Sequence, residues 1–502
     1  MAVGIDIGGT NTDAAIVGDG EVRTFKVPNE DGMEVMLEKL SSVVDLSKER
    51  VTVSTSLPLN AALSRFHETK TLVLLIPGPG LNYSSRGVCL QGFVNHRGDV
   101  VEEVDESEVR RVVEKSKAQK VQNVAVAGKF SIRNPALEEK VAEIAVGEYG
   151  DSKVCLSYHC LGINFPLRIN TTIVNAKIKE SVYELERIVG MYSRKFFFYK
   201  GDGGIIPMDF ALNNPSLLYN SSPAAVAMGA IFLTGVRDAI VIDIGGTTTD
   251  FVIVENGKPA IVENMSVAGM KTLIRCVDSF SIPFGGDSLV ESFIRPERRV
   301  PIAFGGEHFT LTDSLNCCGC EIGKFERSRE LSRSRGISRG IAEKAIEDYT
   351  AMVVDAINHY EREVKTLVIT GYLARFLAPY IEEASGKRCI VPEHSEAVNA
   401  VGVAVSRISL TLYARFDTAK KRAVFNGFVE DYDGRDDDEY FVELAKERVR
   451  EIALSHGACE EDVEDVRVVY FNSFDVVRGG VARGRIADVV VQIEPGISVE
   501  FG

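Results

Sequence analysis

The string Asp6-Ile7-Gly8-Gly9-Thr10-Asn11-Thr12-Asp13 returns in the other half of the chain as Asp243-Ile244-Gly245-Gly246-Thr247-Thr248-Thr249-Asp250. Each copy follows an apolar run, Ala2 to Ile5 or Ala239 to Ile242. Each leads into another, Ala14 to Val17 or Phe251 to Val254. The pattern predicts strand, glycine turn, strand, with Gly18-Asp19-Gly20 or Asn256-Gly257 closing each hairpin into a further strand. Paired glycines leave backbone N–H groups bare at close range, which is what a phosphate needs. The threonine hydroxyls add donors, and the leading aspartate can hold a metal-bound water beside a triphosphate. A single Gly-Gly hairpin is usually only a hairpin. Two matched copies in one chain read as duplicated half-sites facing one nucleotide.

Bulk properties narrow the class. A chain of 502 residues suggests about three domains. Its net charge of −15 excludes a nucleic-acid or anionic-membrane surface, while ATP remains open because magnesium and backbone dipoles set the local field. No stretch approaches the roughly 18 uncharged apolar residues of a membrane span. The opening Met1-Ala2-Val3-Gly4-Ile5-Asp6 carries no charged leader, so no secretory signal is expected. The nine cysteines are scattered and odd in number, which suits reduced thiols in a cytoplasm.

Strand and helix signals alternate along the first half. A helix is expected over 32–44, strands over 51–54, 71–76 and 121–127, and a helix over 107–117 with Ser107 as its N-cap. Pro135 opens a helix running to about Glu148, and a strand follows over 154–157. Helical spacing resumes over 173–191, then a strand over 195–199 ends in Lys200-Gly201-Asp202-Gly203-Gly204. Small residues over 222–230 predict a helix that packs tightly on a sheet. Later come helices over 341–364, 372–381 and 397–406 and strands over 366–370 and 388–391. Beyond Tyr413 the chain becomes charge-rich, with an acidic loop over 431–439, a helix over 441–456 and strands over 466–471 and 489–493. This last part reads as a small appended α+β domain. Its acidic loop is a solvated turn, with calcium binding the lesser reading.

The doubled Asp-x-Gly-Gly-Thr-x-Thr-Asp resembles the A subunit of the hydantoinase/oxoprolinase family. Further segments fit in the same order. They are Ser54 to Ala61, Ser131 to Pro135, Arg168 to Ala176, Asp202-Gly203-Gly204, Ser222-Pro223-Ala224 and Thr310 to Ser314. The resemblance covers roughly residues 1 to 410 and departs in places. Phe284-Gly285-Gly286-Asp287-Ser288 stands where the family has Gly-Gly-Gly-Ser, Ser222 replaces a glycine, and Ala136-Leu137-Glu138 stands where a His-Glu pair is usual. It implies an α/β fold in which two RNase-H-like lobes, of the type shared by sugar kinases, Hsp70 and actin, clamp a nucleotide. The lobes would occupy 1–172 and 173–410, and a small α+β appendage 411–502.

The resemblance also implies a site. Gly8, Gly9, Thr10, Asn11 and Thr12 would cradle phosphate with Gly245, Gly246, Thr247 and Thr248. Asp6 and Asp243 would hold Mg2+, mostly through water, and Gly371 would lie on the adenosine side. Asp13 and Asp250, at the far end of each turn, either cap it or act in catalysis. Family members open cyclic amides, whose resonance makes them poor targets for water, by first phosphorylating the carbonyl oxygen from ATP. Asp202 and Asp313 are the candidate acid–base groups, each equally suited to fixing a loop or capping a helix. Arg168 and Asn175 are candidates for holding substrate, with a buried ion pair the competing role of Arg168. A partner B-type subunit is implied, and an oligomer is open. Carboxylation by the same chemistry, a sugar-kinase-like transfer and a nucleotide-switched module are the alternatives. The Cys317-Cys318-Gly319-Cys320 string lacks a second pair at metal-site spacing, and His159-Cys160 is read as packing before a nucleophile pair.

Overall fold

The computed structural model describes residues 1–55, 64–359 and 364–501. Positions 56–61 of the Ser54 to Ala61 segment and positions 360–363 of the helix expected over 341–364 therefore lie outside the described residues. The chain divides into two compact units, each made of three separate segments. The first comprises Met1–Lys39, Asn220–Ile261 and Val277–Val405. The second comprises Leu40–Tyr219, Val262–Cys276 and Ser406–Gly502. The expected linear division at 172/173 falls inside the helix Phe165–Val189.

In the first unit, strands Ala2–Ile7, Asn11–Gly18 and Glu21–Pro28 form an antiparallel ladder in the order written. The first two strands are apolar on both faces, so they are buried on both. The second copy of the motif builds another sheet. Its order is Lys258–Pro259, Thr249–Glu255, Ala239–Ile244, Thr366–Thr370 and Arg388–Ile390. The first three of these strands run antiparallel, and the last two lie parallel to Ala239–Ile244 and to each other. That antiparallel meander continued by parallel strands is the arrangement of an RNase-H-like lobe, and the α/β class holds. Helices Arg339–His359 and Ala374–Ser385 cover this sheet, burying Ile242, Phe251, Tyr349, Leu367 and Leu377 in one core. The small-residue helices Ser221–Thr234 and Val398–Val405 meet at Gly229 and Gly402. There an added β-carbon would fall 2.0 Å from the carbonyl oxygens of Val398 and Ala225, so only glycine permits the contact.

In the second unit, strands Val154–Leu156, Asn123–Gly128, Thr71–Ile76 and Val88–Cys89 form a parallel sheet. Helices Glu106–Ala118 and Ala136–Tyr149 pack on one face, and Phe165–Val189 buries Phe165 and Ile169 against Leu75 and Ala127. Asp105, not Ser107, caps the first of these helices, because its carboxylate accepts from the Ser107 and Glu108 amides. Residues 411–502 are α+β as expected. A five-stranded antiparallel sheet carries helix Asp438–Ser455, with Phe416 stacked on Phe441 at 4.7 Å between ring centres. They are not a free-standing appendage, since buried ion pairs tie them into the same unit. Arg97 meets Asp417, and Asp488 takes Arg415 and Arg133.

Candidate nucleotide site

Both motif copies fold as the sequence predicts, and both lie in the first unit. The antiparallel register sets Asp6 opposite Asp13 and Asp243 opposite Asp250. Each hairpin thus carries a pair of carboxylates beneath its turn. The turn itself is closed by the first glycine, whose N–H donates across it: Gly8 to Asn11 O and Gly245 to Thr248 O, both at 3.0 Å. Gly9, Thr10 and Thr247 are exposed, and no atom lies within 4 Å of where a Gly9 β-carbon would sit. That bare turn suits a phosphate.

The supports of the two turns differ. The first is braced by side chains: Asn29 donates to Gly8 O at 2.8 Å and accepts from Thr12 at 3.0 Å. Asp6 is fully buried and accepts from Asn399 at 2.7 Å and Ser222 at 3.2 Å. Ser222, noted above as a departure, therefore reaches the leading carboxylate. The second turn is braced by a backbone loop. Gly286 N donates to Gly245 O at 3.0 Å and Asp287 N to Gly246 O at 2.8 Å. Thr249 donates to Phe284 O at 2.8 Å and shares a bond with the Tyr349 hydroxyl. Gly371 holds φ +95°, and an added β-carbon would lie 2.3 Å from Ile244 O. Its glycine is required by this close approach to the second hairpin.

Electrostatics follow the supports. Asp243 is only partly covered. Burial, then Asp250, and more weakly Asp6 and Asp13, push its carboxyl up to about 7 against the opposing Thr370 hydroxyl, 2.8 Å away. Burial also raises Asp13 despite Lys26 at 2.6 Å, and raises Asp250 despite bonds from Ser281 and Thr248. Asp13 and Asp250 thus take side-chain partners while sharing one acidic cluster. Among the described residues no three His, Cys, Asp or Glu side chains converge to ligate an ion directly.

The other expected site residues sit elsewhere and have structural partners. Both oxygens of the buried Asp313 are occupied by the amides of Ile302, Ala303 and Thr310 and the hydroxyls of Thr310 and Ser328. It is the capping-box carboxylate of helix Leu311–Cys317. Asp202, in the second unit, lies 3.0 Å from Lys200 and 3.2 Å from Arg275. Burial would raise its carboxyl, but these two cations hold it below the usual range. Arg168 is fully buried, donates to Gly128 O and Lys129 O, and faces the buried Glu138. Asn175 donates to Asn214 at 2.8 Å and accepts from Ser216 N at 2.7 Å, fixing a loop. Burial pushes His159 down to about 4 and Cys160 up to about 12, and the buried Cys160 thiol lies against the Thr172 hydroxyl and the Asn175 amide. Burial likewise raises Cys317, Cys318 and Cys320. The acidic loop is spent on Lys421 and Arg485 and on the Asp437 cap. Sequence reasoning missed Asn29, Asn399, Asp287 and Arg298, of which only Asp287 had a signal, as a departure.

A unit carrying two glycine turns with paired carboxylates is a duplicated hairpin motif, and comparison with known proteins places the chain in a family. The family model described as hydantoinase/oxoprolinase N-terminal region matches residues 2–81 and 79–149, and that described as hydantoinase/oxoprolinase matches 168–320. Together these take in more than half of the sequence, and the chain belongs to the hydantoinase/oxoprolinase family. The caprolactamase subunit alpha of Pseudomonas jessenii is 22% identical over 334 residues, covering 57% of this chain and 48% of that protein. The acetophenone carboxylase gamma subunit of Aromatoleum aromaticum is 24% identical over 315 residues, covering 50% and 42%. The matched region thus spans less than half the length of these relatives. A nucleotide-free acetone carboxylase structure aligns with a TM-score of 0.70 at 16% identity, covering 99% of this chain and 88% of that one. That likeness establishes the fold. No described helix is long and apolar enough to cross a membrane.

Proposed function

We propose that the chain binds ATP with Mg2+ at the two hairpin turns and uses it to open a cyclic amide of the hydantoin or 5-oxoproline type. The reading is carried by one observation: four carboxylates in matching register beneath two glycine turns of a single compact unit. The exposed groups of Gly9, Thr10 and Thr247 and the half-buried amide of Gly246 would face phosphate oxygens, with Asn11, Thr12 and Thr248 shaping the turns. Asp243 would orient the metal's water shell, ionising as the cation arrives. Asp6, held behind the first turn by Asn399 and Ser222, would add field without direct contact. ATP supplies a phosphoryl group that converts an amide carbonyl into a better electrophile. The chain's part is positioning and charge neutralisation. Asp202 and Asp313 find no support as the acid–base pair, because their oxygens are already engaged by cations and amides.

A second reading, ATP-dependent carboxylation by the same activation, is favoured by the likeness to acetophenone and acetone carboxylases. Two relatives carry the word subunit in their names, which supports a partner chain of the B type here. The test is phosphate release by the purified protein with Mg2+, with and without that partner. Substrates are hydantoins, 5-oxoproline, caprolactam, and ketones with bicarbonate, and Asp243→Ala is the control. Lactam-dependent phosphate release with ring opening supports the first reading, and ketone- and bicarbonate-dependent release supports the second. ATP turnover that none of these substrates changes would overturn both.

A further inference from the structure

Strand Ile294–Arg298 pairs antiparallel with Ser288–Val290, and that register brings Arg298 beside the loop under the second turn. The Arg298 side chain bridges the first motif copy and the loop under the second turn. Its Nη2 donates to the Thr10 hydroxyl of the first turn at 2.9 Å, and its Nε donates to Asp287 Oδ2 at 3.3 Å. Asp287 in turn lies against the second turn. Its N–H donates to Gly246 O, and its Oδ2 is 2.6 Å from where a Gly246 β-carbon would be. A carboxylate placed on a phosphate turn repels the ligand that the turn is built for. Here Arg298 offsets it, and the Arg298 side chain stays 41% exposed. Gly371 abuts Ile244; on the reading that the adenosine lies on that side, the phosphate chain would run from the second turn toward Thr10.

We propose that Arg298 is the cation that engages the terminal phosphate of the bound triphosphate, parked on Thr10 and Asp287 until the ligand arrives. This rests on the ATP reading above. Leaving Asp287 and Thr10 for a phosphate exchanges one carboxylate and one hydroxyl for a more highly charged acceptor in fork geometry. Asp287 therefore tunes the site against weak anions and keeps the guanidinium aimed.

The test is equilibrium binding of ATP and ADP, each with Mg2+, to the full chain and to Arg298→Ala, Arg298→Lys and Asp287→Asn, with melting curves to confirm folding. Arg298→Ala is expected to weaken ATP about tenfold or more and ADP less than about twofold. Arg298→Lys should fall between, since a point charge keeps attraction but loses the fork. Asp287→Asn should tighten ATP severalfold. Equal loss of ATP and ADP in Arg298→Ala, or no loss in either arginine variant, would leave Arg298 a staple and overturn the proposal. If no protein, wild type included, binds either nucleotide, the ATP reading fails and takes this one with it. That outcome is distinct, because the variants then match wild type.

Discussion

The two hairpins share a sequence pattern and a register, yet their leading aspartates live in different surroundings. Asp6 is buried and accepts from Asn399 and Ser222. Asp243 is partly open, has the Thr370 hydroxyl, and faces the carboxylates of Asp250, Asp6 and Asp13. A duplicated motif fixes where backbone amides and carboxylates go. The surroundings of each carboxylate depend also on residues far away in sequence, Ser222 and Asn399 for Asp6 and Thr370 for Asp243. On this comparison the first hairpin is a braced wall and the second carries the carboxyl that burial and its neighbours raise.

The largest effect that tests this division is on turnover. Asp243→Asn should lower Mg2+-dependent ATP turnover by about a hundredfold or more, the scale of a lost charge-stabilising group. It should also raise the melting temperature without nucleotide, because it removes a crowded carboxylate. A variant that loses activity and stability together would place Asp243 with Asp6 as scaffold.

Next comes pH. Asp243 is raised in the fold to about 7, while the unfolded chain titrates near 3.8. Between these values the folded state holds the extra proton. Stability therefore falls as pH rises from about 4 to 7, by a few kcal/mol at most. Denaturation midpoints across that range should slope downward in the wild type and flatten in Asp243→Asn. Calorimetry in buffers of different ionisation heat should show Mg2+ binding releasing a proton at pH 6 and less at pH 8. A flat wild-type profile would remove the electrostatic contrast between the hairpins.

A third effect separates the donors. Asn399→Ala leaves a buried carboxylate short of a charged hydrogen bond and should cost about 2 kcal/mol in chemical denaturation at pH 7. Thr370→Val, its counterpart on the second hairpin, should cost less than about 1 kcal/mol, since Asp243 can relieve the loss by keeping its proton. Equal costs would erase the distinction.

How much of this was legible follows from sequence distance. Strands Thr71–Ile76 and Thr366–Thr370 have the bounds that their apolar runs suggest, because a buried strand declares itself locally. The long hairpin of Val466–Arg478 and Val481–Ile493 was half missed. Its outer strand is exposed on both faces, so it shows no alternation, and only Gly479-Gly480 marks the turn. Helix Phe165–Val189 starts earlier than its apolar spacing suggests, with Asn164 as cap and Pro166 in the first turn, a start signal that was present and unread. In the site, the glycines and aspartates were legible because the motif is contiguous. Asn399 and Arg298 were not, because nothing near them in sequence says that they meet Asp6 and Thr10. Asp202, Asp313, Arg168 and Asn175 carry motif-like neighbours, yet polar residues in such strings are also what caps helices and fixes loops.

The smallest effect distinguishes the turns themselves. Gly9 has nothing within 4 Å of its missing β-carbon and no positive φ, so Gly9→Ala should be neutral or raise stability by a few tenths of a kcal/mol through the unfolded state. Gly246→Ala drives a methyl to 2.6 Å from Asp287 Oδ2, and that carboxylate can retreat only by giving up its place beside Arg298. A cost of about 1 kcal/mol is expected. If Asp287→Ala is added, the clash partner is gone and the cost of Gly246→Ala should vanish, a coupling that a double-mutant cycle reads directly. Additive behaviour would mean that the backbone loop, not the Asp287 side chain, closes the second turn. The open first turn and the occupied second one would then differ only in what lies beneath them.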